Sequence, residues 1–178
     1  MISKRISVLS VLLVLWSVAA VVADSDSDSS EVAPCDIPQM RQFDFWIGEW
    51  NLTWPDSGRG TNIITPILDS CVIMEQFTTR NAQPFRGRSL STYDVETDQW
   101  KQTWVDNAGN YLDFTGGLRD GQMILEREAV DSTGKEFLQR MVFFNIKDDS
   151  FDWNWERSLD GGDTWETLWP IHYERRKK

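Results

Sequence analysis

Glu75 is the side chain best placed to do chemistry in this chain. In "ILDSCVIMEQF", Ile67 to Phe77, it alternates with Ile73 and Phe77. Side chains on an extended backbone point alternately to opposite faces, so a carboxyl here falls on an apolar surface. A carboxyl desolvated in that way could act as a general base on a small substrate, with Asp106 or Asp113 as candidate second carboxylates. Gln102 shares a face with Trp100 and Trp104, and Arg140 alternates with Leu138 and Val142. These polar residues on aromatic strands point equally to recognition. Trp100, Trp104, Trp153, Trp155, Trp165 and Trp169 would wall a mostly apolar pocket, and Glu75, Gln102 and Arg140 would be its few anchors. Two blander readings compete: indoles that simply fill the core, and a Glu75–Arg140 ion pair with no ligand role.

Other chemistries find little footing. There is no G-x-S-x-G elbow, no H-E-x-x-H and no Cys–His pair in register. His172 is the only histidine; it shares a face with Glu174, opposite to Arg175, which makes a haem ligand a weak variant. With two cysteines and one distant histidine, neither a metal site nor a cofactor is expected. The formal charge is -10, a field that repels phosphate backbones and anionic lipid. No nucleic-acid partner and no membrane partner are therefore expected. The one basic run, Arg175-Arg176-Lys177-Lys178, reads as a solvated tail.

The first residues predict a secretory leader, 1–23: Lys4 and Arg5, an apolar run from Ile6 through Val22, then small residues ending at Ala23. An uncleaved signal anchor is the competing reading, given the length of the run. Cleavage would make the chain more acidic by two charges. The acidic stretch 24–34 reads as a disordered linker, leaving 35–178 as one domain. A secreted chain passes through an oxidising compartment, so Cys35 and Cys71 are expected to form a disulfide, with two buried free thiols as the alternative.

The elements that must position these residues are strands. Short runs rich in Val, Ile, Thr, Phe, Tyr and Trp are separated by Gly, Asp and Asn about every ten residues, with no helical stripe. They predict about ten strands: Trp46–Trp54, Gly60–Leu68, Cys71–Thr79, Arg86–Val95, Gln99–Asn107, Tyr111–Leu118, Gln122–Val130, Glu136–Ile146, Ser150–Arg157 and Thr164–Arg175. Every connection is short, so successive strands pair antiparallel. The expected fold is all-β, a single up-and-down barrel with a short helical turn before the first strand; a two-sheet sandwich is the runner-up.

Within "RQFDFWIGEW", the apolar turn followed by Gly48-Glu49-Trp50 resembles the start of lipocalin-type barrels. That resemblance implies a one-turn plug with Trp50 over it and an arginine from the last strand across the indole. Arg175 fits, on the parity of Trp165, Trp169, Ile171 and Tyr173, in a structural role. The order of "RQFDFWIGEW", "ILDSCVIMEQF", "FRGRSLSTYD", "WKQTWVDNAGNYLDFTGG", "DGQM", "RMVF" and "WERSLDGGDTWETLW" resembles the uncharacterised domain of unknown function 1579 family. This implies a lipocalin-like barrel and no particular activity. "SLDGGDTW", Ser158 to Trp165, resembles the Asp-box of sialidase propellers, a stabilised turn rather than a catalytic element. "YDVETDQW", Tyr93 to Trp100, is similar to a kelch hairpin, but nothing repeats. Asn51-Leu52-Thr53 is a glycosylation sequon, with Asn51 on the face opposite Trp50. The function expected first is binding of a small apolar or aromatic molecule. The others are a small-substrate enzyme using Glu75, and a protein or glycan interaction module built on exposed aromatics such as Trp54.

Overall fold

The computed structural model describes residues 35–177. The expected leader and linker lie outside them. Ten strands form: β1 (Gly48–Trp54), β2 (Gly58–Ile67), β3 (Val72–Thr79), β4 (Arg86–Asp94), β5 (Gln99–Asp106), β6 (Tyr111–Arg119), β7 (Gln122–Val130), β8 (Glu136–Phe144), β9 (Ser150–Ser158) and β10 (Glu166–Arg175). Each pairs antiparallel with its neighbour in sequence, and β1 pairs with β10 through Trp50 opposite Arg175 and Leu52 opposite Tyr173. The meander closes into the expected all-β barrel, so among the described residues every strand is paired on both sides.

A plug closes one end. Pro38–Arg41 and Asp44–Trp46 are short 3-10 turns; Met40 and Trp46 within them and Phe43 between them are buried. Phe43 packs edge-on to Trp100 at 4.8 Å and Phe143 at 5.4 Å, and Trp50 donates its indole N–H to the Trp46 carbonyl at 2.7 Å. Arg175 fastens plug to barrel: its guanidinium lies 4.2 Å from the Trp50 ring centre and donates to the carbonyls of Ile47 and Phe45. Gly48 makes the approach possible. Its φ of 135° disfavours any side chain, and a Cβ would collide with Arg175 Nη1. The Cys35–Cys71 disulfide, with Cα atoms 5.1 Å apart, ties the start of the plug to the turn before β3.

Two elements depart from expectation. Trp46 belongs to the plug rather than to β1, and β10 begins at Glu166 with a bulge between Thr167 and Trp169. A bulge places an extra residue in one strand and inverts its facing pattern. Trp169, Ile171 and Tyr173 therefore face inward while Trp165 turns outward, which corrects its expected place in the inner wall. Arg140 requires the same correction. In β8, Met141 and Phe143 face the interior, so Arg140 is outside, bonded to Glu156 at 2.7 Å and stacked 3.8 Å from the Trp165 ring centre. The Glu75–Arg140 pair does not form. The reason is that "EFLQRMVFF" is apolar on both parities; the Asp-box turn lies against the outer one, with Gly162 close to Leu138.

Candidate functional site

The interior is not filled. Between the plug and the open end lies a cavity of about 200 Å³ bounded mainly by Phe77, Trp104, Phe114, Trp153, Trp155 and Trp169, with Glu75 and Tyr173 in its polar part. Trp104, Trp153, Trp155 and Trp169 are only half-buried although they point inward, because the space they face is open. They hold one another edge-on: Trp169 lies 5.8 Å from Phe77 and 6.1 Å from Trp153, and Phe114 lies 5.8 Å from Trp155. Aromatic rings favour that arrangement, and it makes the wall self-supporting.

The mouth is built by Trp104. Gly87 on the neighbouring strand leaves room for the indole, since any Cβ there would overlap its ring. The indole N–H donates to Asp106 Oδ2 at 3.0 Å. Asp106 also accepts from the backbone N–H groups of Ala108 and Asn110 and from the Asn110 amide. Burial works against its charge, but these bonds prevail and hold its carboxyl below the usual range. Asp106 is therefore a turn cap that aims Trp104. Asp113 is exposed on the outer face, so neither residue supplies the second carboxylate expected beside Glu75.

The plug, the strands and the cavity together take up the described residues from Pro38 to Arg175. The family model described as "Protein of unknown function (DUF1579)" matches residues 43–175. The chain belongs to this family. The DUF1579 match begins at Phe43 in the plug and ends at Arg175, whose guanidinium locks it, so it encloses all ten strands and the cavity. No curated protein matches the chain.

In the DUF1579 barrel the cavity has one polar wall. Glu75 Oε1 accepts from Asn62 Nδ2 and Oε2 from Ser89 Oγ, both at 2.7 Å; Asn62 also donates to the Tyr173 hydroxyl at 3.3 Å. Burial pushes the Glu75 carboxyl up, against the lowering effect of the Ser89 and Asn62 bonds and of Arg88. The Tyr173 phenol is raised too, by burial and then by the charge of Glu75. Next to this group Gln102 donates to Ser91 Oγ at 2.8 Å. The buried Oδ1 of Asn62 and Oε1 of Gln102 have no partner. The Glu75 carboxyl, its proton affinity raised by burial, and the phenol beside it are the hydrogen-bonding groups of an otherwise apolar wall, where a polar group of a ligand could be anchored.

Of the residues singled out from sequence, Glu75, Trp104, Trp153, Trp155 and Trp169 meet at the cavity. Trp100 and Gln102 point inward but lie apart from it: Trp100 is buried on Phe43 and bonded to Gln42, and Gln102 is packed behind the wall. Arg140 is outside. Trp54 sits just inside the rim, 5.3 Å from Trp169, and no described tryptophan is among the exposed large apolar side chains. His172 lies on the outer face of β10, bonded to Asp152 at 2.8 Å, away from the cavity. Asn51 is exposed. Among the described residues no three potential metal ligands cluster, and no described helix is long and apolar enough to cross a membrane.

Asn62 and Ser89 escaped the sequence reading, and Tyr173 was placed only on the face of Arg175, with no part in the pocket. Strand β4, "RGRSLSTYD", turns Gly87, Ser89, Ser91 and Tyr93 inward and leaves Leu90 exposed, the reverse of what apolarity indicates. The legible signal was the match in parity between Ser89 and Gly87, the glycine that Trp104 requires.

Proposed function

We propose that this protein binds one small aromatic or apolar molecule in the barrel interior, with the tryptophan wall around it and Glu75 and Tyr173 as its polar contacts. The observation that carries the reading is the set of inward-facing indoles left half-exposed around an open space. A core packed for stability alone would bring them together, because unfilled volume costs dispersion contacts. The size limits the occupant. An apolar cavity of about 150 Å³ takes benzene and drug-sized pockets begin near 300 Å³, so about 200 Å³ suits one ring or two fused rings. The Cys35–Cys71 disulfide supports a working place outside the reducing cytosol, consistent with the leader read from residues 1–23.

Native mass spectrometry of the protein purified from its own secretion tests this reading. The expected spectrum carries a small mass excess that disappears on denaturation. A clean protein mass, together with tryptophan emission that stays constant as an uncharged naphthalene derivative is titrated in, would overturn it.

A further inference from the structure

The open end of the cavity carries charge that the interior reading leaves unused. Arg127 occupies an inward position on β7, between Leu125 and Ala129, both buried. Its guanidinium lies 6.0 Å from the ring centre of Phe114, which lines the cavity, and Nη1 donates to Gln139 Oε1 at 2.6 Å. Gln139 stands opposite Arg127 on one side and Arg157 on the other, so three inward positions on β7, β8 and β9 share one level. That level is one inward step above Met141 and Trp155, toward the open end. Arg157 bonds Glu166 at 2.7 Å through Nη2, while its Nε is buried and has no partner. Among the described residues no carboxylate pairs with Arg127. Glu166, opposite Arg157, is engaged by that ion pair, and Asp106, in the cavity lining, is occupied by its own turn.

An arginine beside an aromatic cavity, with one side-chain hydrogen bond to an amide, keeps most of its N–H donors for another acceptor. In a chain with a formal charge of -10, the ordinary way to satisfy such a group is a nearby Asp or Glu, and here none is used. We propose that the ligand is an aromatic organic anion, such as a monocarboxylate: its ring lies among Trp153, Trp155 and Trp169, and its anionic group stays at the mouth on Arg127. This rests on the cavity reading and adds the ligand's charge and direction of entry. Guanidinium suits carboxylate because its planar N–H groups match two oxygens at once.

Isothermal titration with 2-naphthoate and its uncharged counterpart 2-naphthamide tests the proposal on the parent protein and on R127Q, R127K and R59Q. Arg59 is exposed on β2, so R59Q makes the same charge change away from the cavity. The parent should prefer the acid. R127Q should weaken naphthoate by about tenfold or more, the scale of a hydrogen bond to a charged group, and leave naphthamide within about twofold. R127K should restore part of the loss, and R59Q should change neither probe. Equal weakening of both probes would assign Arg127 to support of the wall and overturn the proposal, as would unchanged naphthoate binding in R127Q. If R127Q does not fold, absence of a preference for the acid in the parent and in R127K overturns it. A parent that binds naphthamide but not naphthoate sinks the anion while keeping the cavity reading; one that binds neither sinks both.

Discussion

Glu75 concentrates the physical tension of the interior at one carboxyl. It is buried, its two oxygens receive hydrogen bonds from Asn62 and Ser89, and burial still raises its proton affinity. The folded state therefore favours the protonated form more than the unfolded state does. The resulting contribution to stability is complete below the unfolded value, about 4.3, and is lost as pH rises through the higher folded value. Glutamine keeps an acceptor for either donor and carries no charge. E75Q should therefore gain stability relative to the parent as pH increases from about 4 toward neutrality. Urea unfolding of both proteins across that interval measures the difference; parallel pH profiles would mean that the carboxyl is not desolvated. Glu75 was legible from alternation with Ile73 and Phe77. Its partners were not, because Asn62 and Ser89 come from separate strands and no local pattern joins them to it.

At the scale of elements, the β9–β10 hairpin shows how a turn sets the face of a strand. Ser158 Oγ donates to Asp160 Oδ1 at 2.7 Å and accepts from the Gly162 N–H at 2.8 Å; Asp160 Oδ1 accepts from the Thr164 N–H at 2.9 Å. The bonds from Thr164 and Ser158 hold the Asp160 carboxyl down to about 2. Its support for the turn is thus present above the ordinary carboxylate range and is lost as pH falls toward 2. The turn delivers Trp165 to the outer surface, where its N–H meets the Gly162 carbonyl and its ring carries Arg140. D160A should speed amide hydrogen exchange at Gly162 and Thr164 while Phe151 and Trp153, deep in β9, keep their protection. Uniform loosening of all four would show that the turn is no separate unit. The structural character of "SLDGGDTW" was readable from its residue types. The bulge after it was not, and that single inserted residue moved Trp165 from the expected inner wall to the outside.

At the scale of the whole molecule, closure and the disulfide share the work of holding the plug. Cys35–Cys71 spans a sequence separation of 36, and Arg41 adds bonds from Nη2 to the carbonyls of Cys35 and Ser70. Closing a loop of that length stabilises by roughly 3 to 4 kcal/mol on the chain-entropy account. The double variant C35S/C71S should lose about that amount in urea unfolding and retain its strand content, since every strand stays paired on both sides. An unchanged unfolding midpoint would show that Arg175 and the aromatic contacts of Phe43 suffice to hold the plug.

Sequence alone determined the parts of this protein that rest on local chemistry. Alternation and short turns gave ten antiparallel strands, because each turn signal is satisfied within a few residues and each neighbour pairs with the next. Gly48, Trp50 and Arg175 were readable through a pattern that joins the first strand to the last, and in the structure they lie against one another. Tertiary structure decided which face of each ambiguous strand is the inside. In β8 both faces are apolar and in β4 the inner one is polar, so the hydrophobic pattern does not choose a register; the closed barrel and the bulge in β10 do. The cavity has the same origin: whether inward indoles fill a space or surround one depends on distances across the barrel, which no local stretch of sequence encodes.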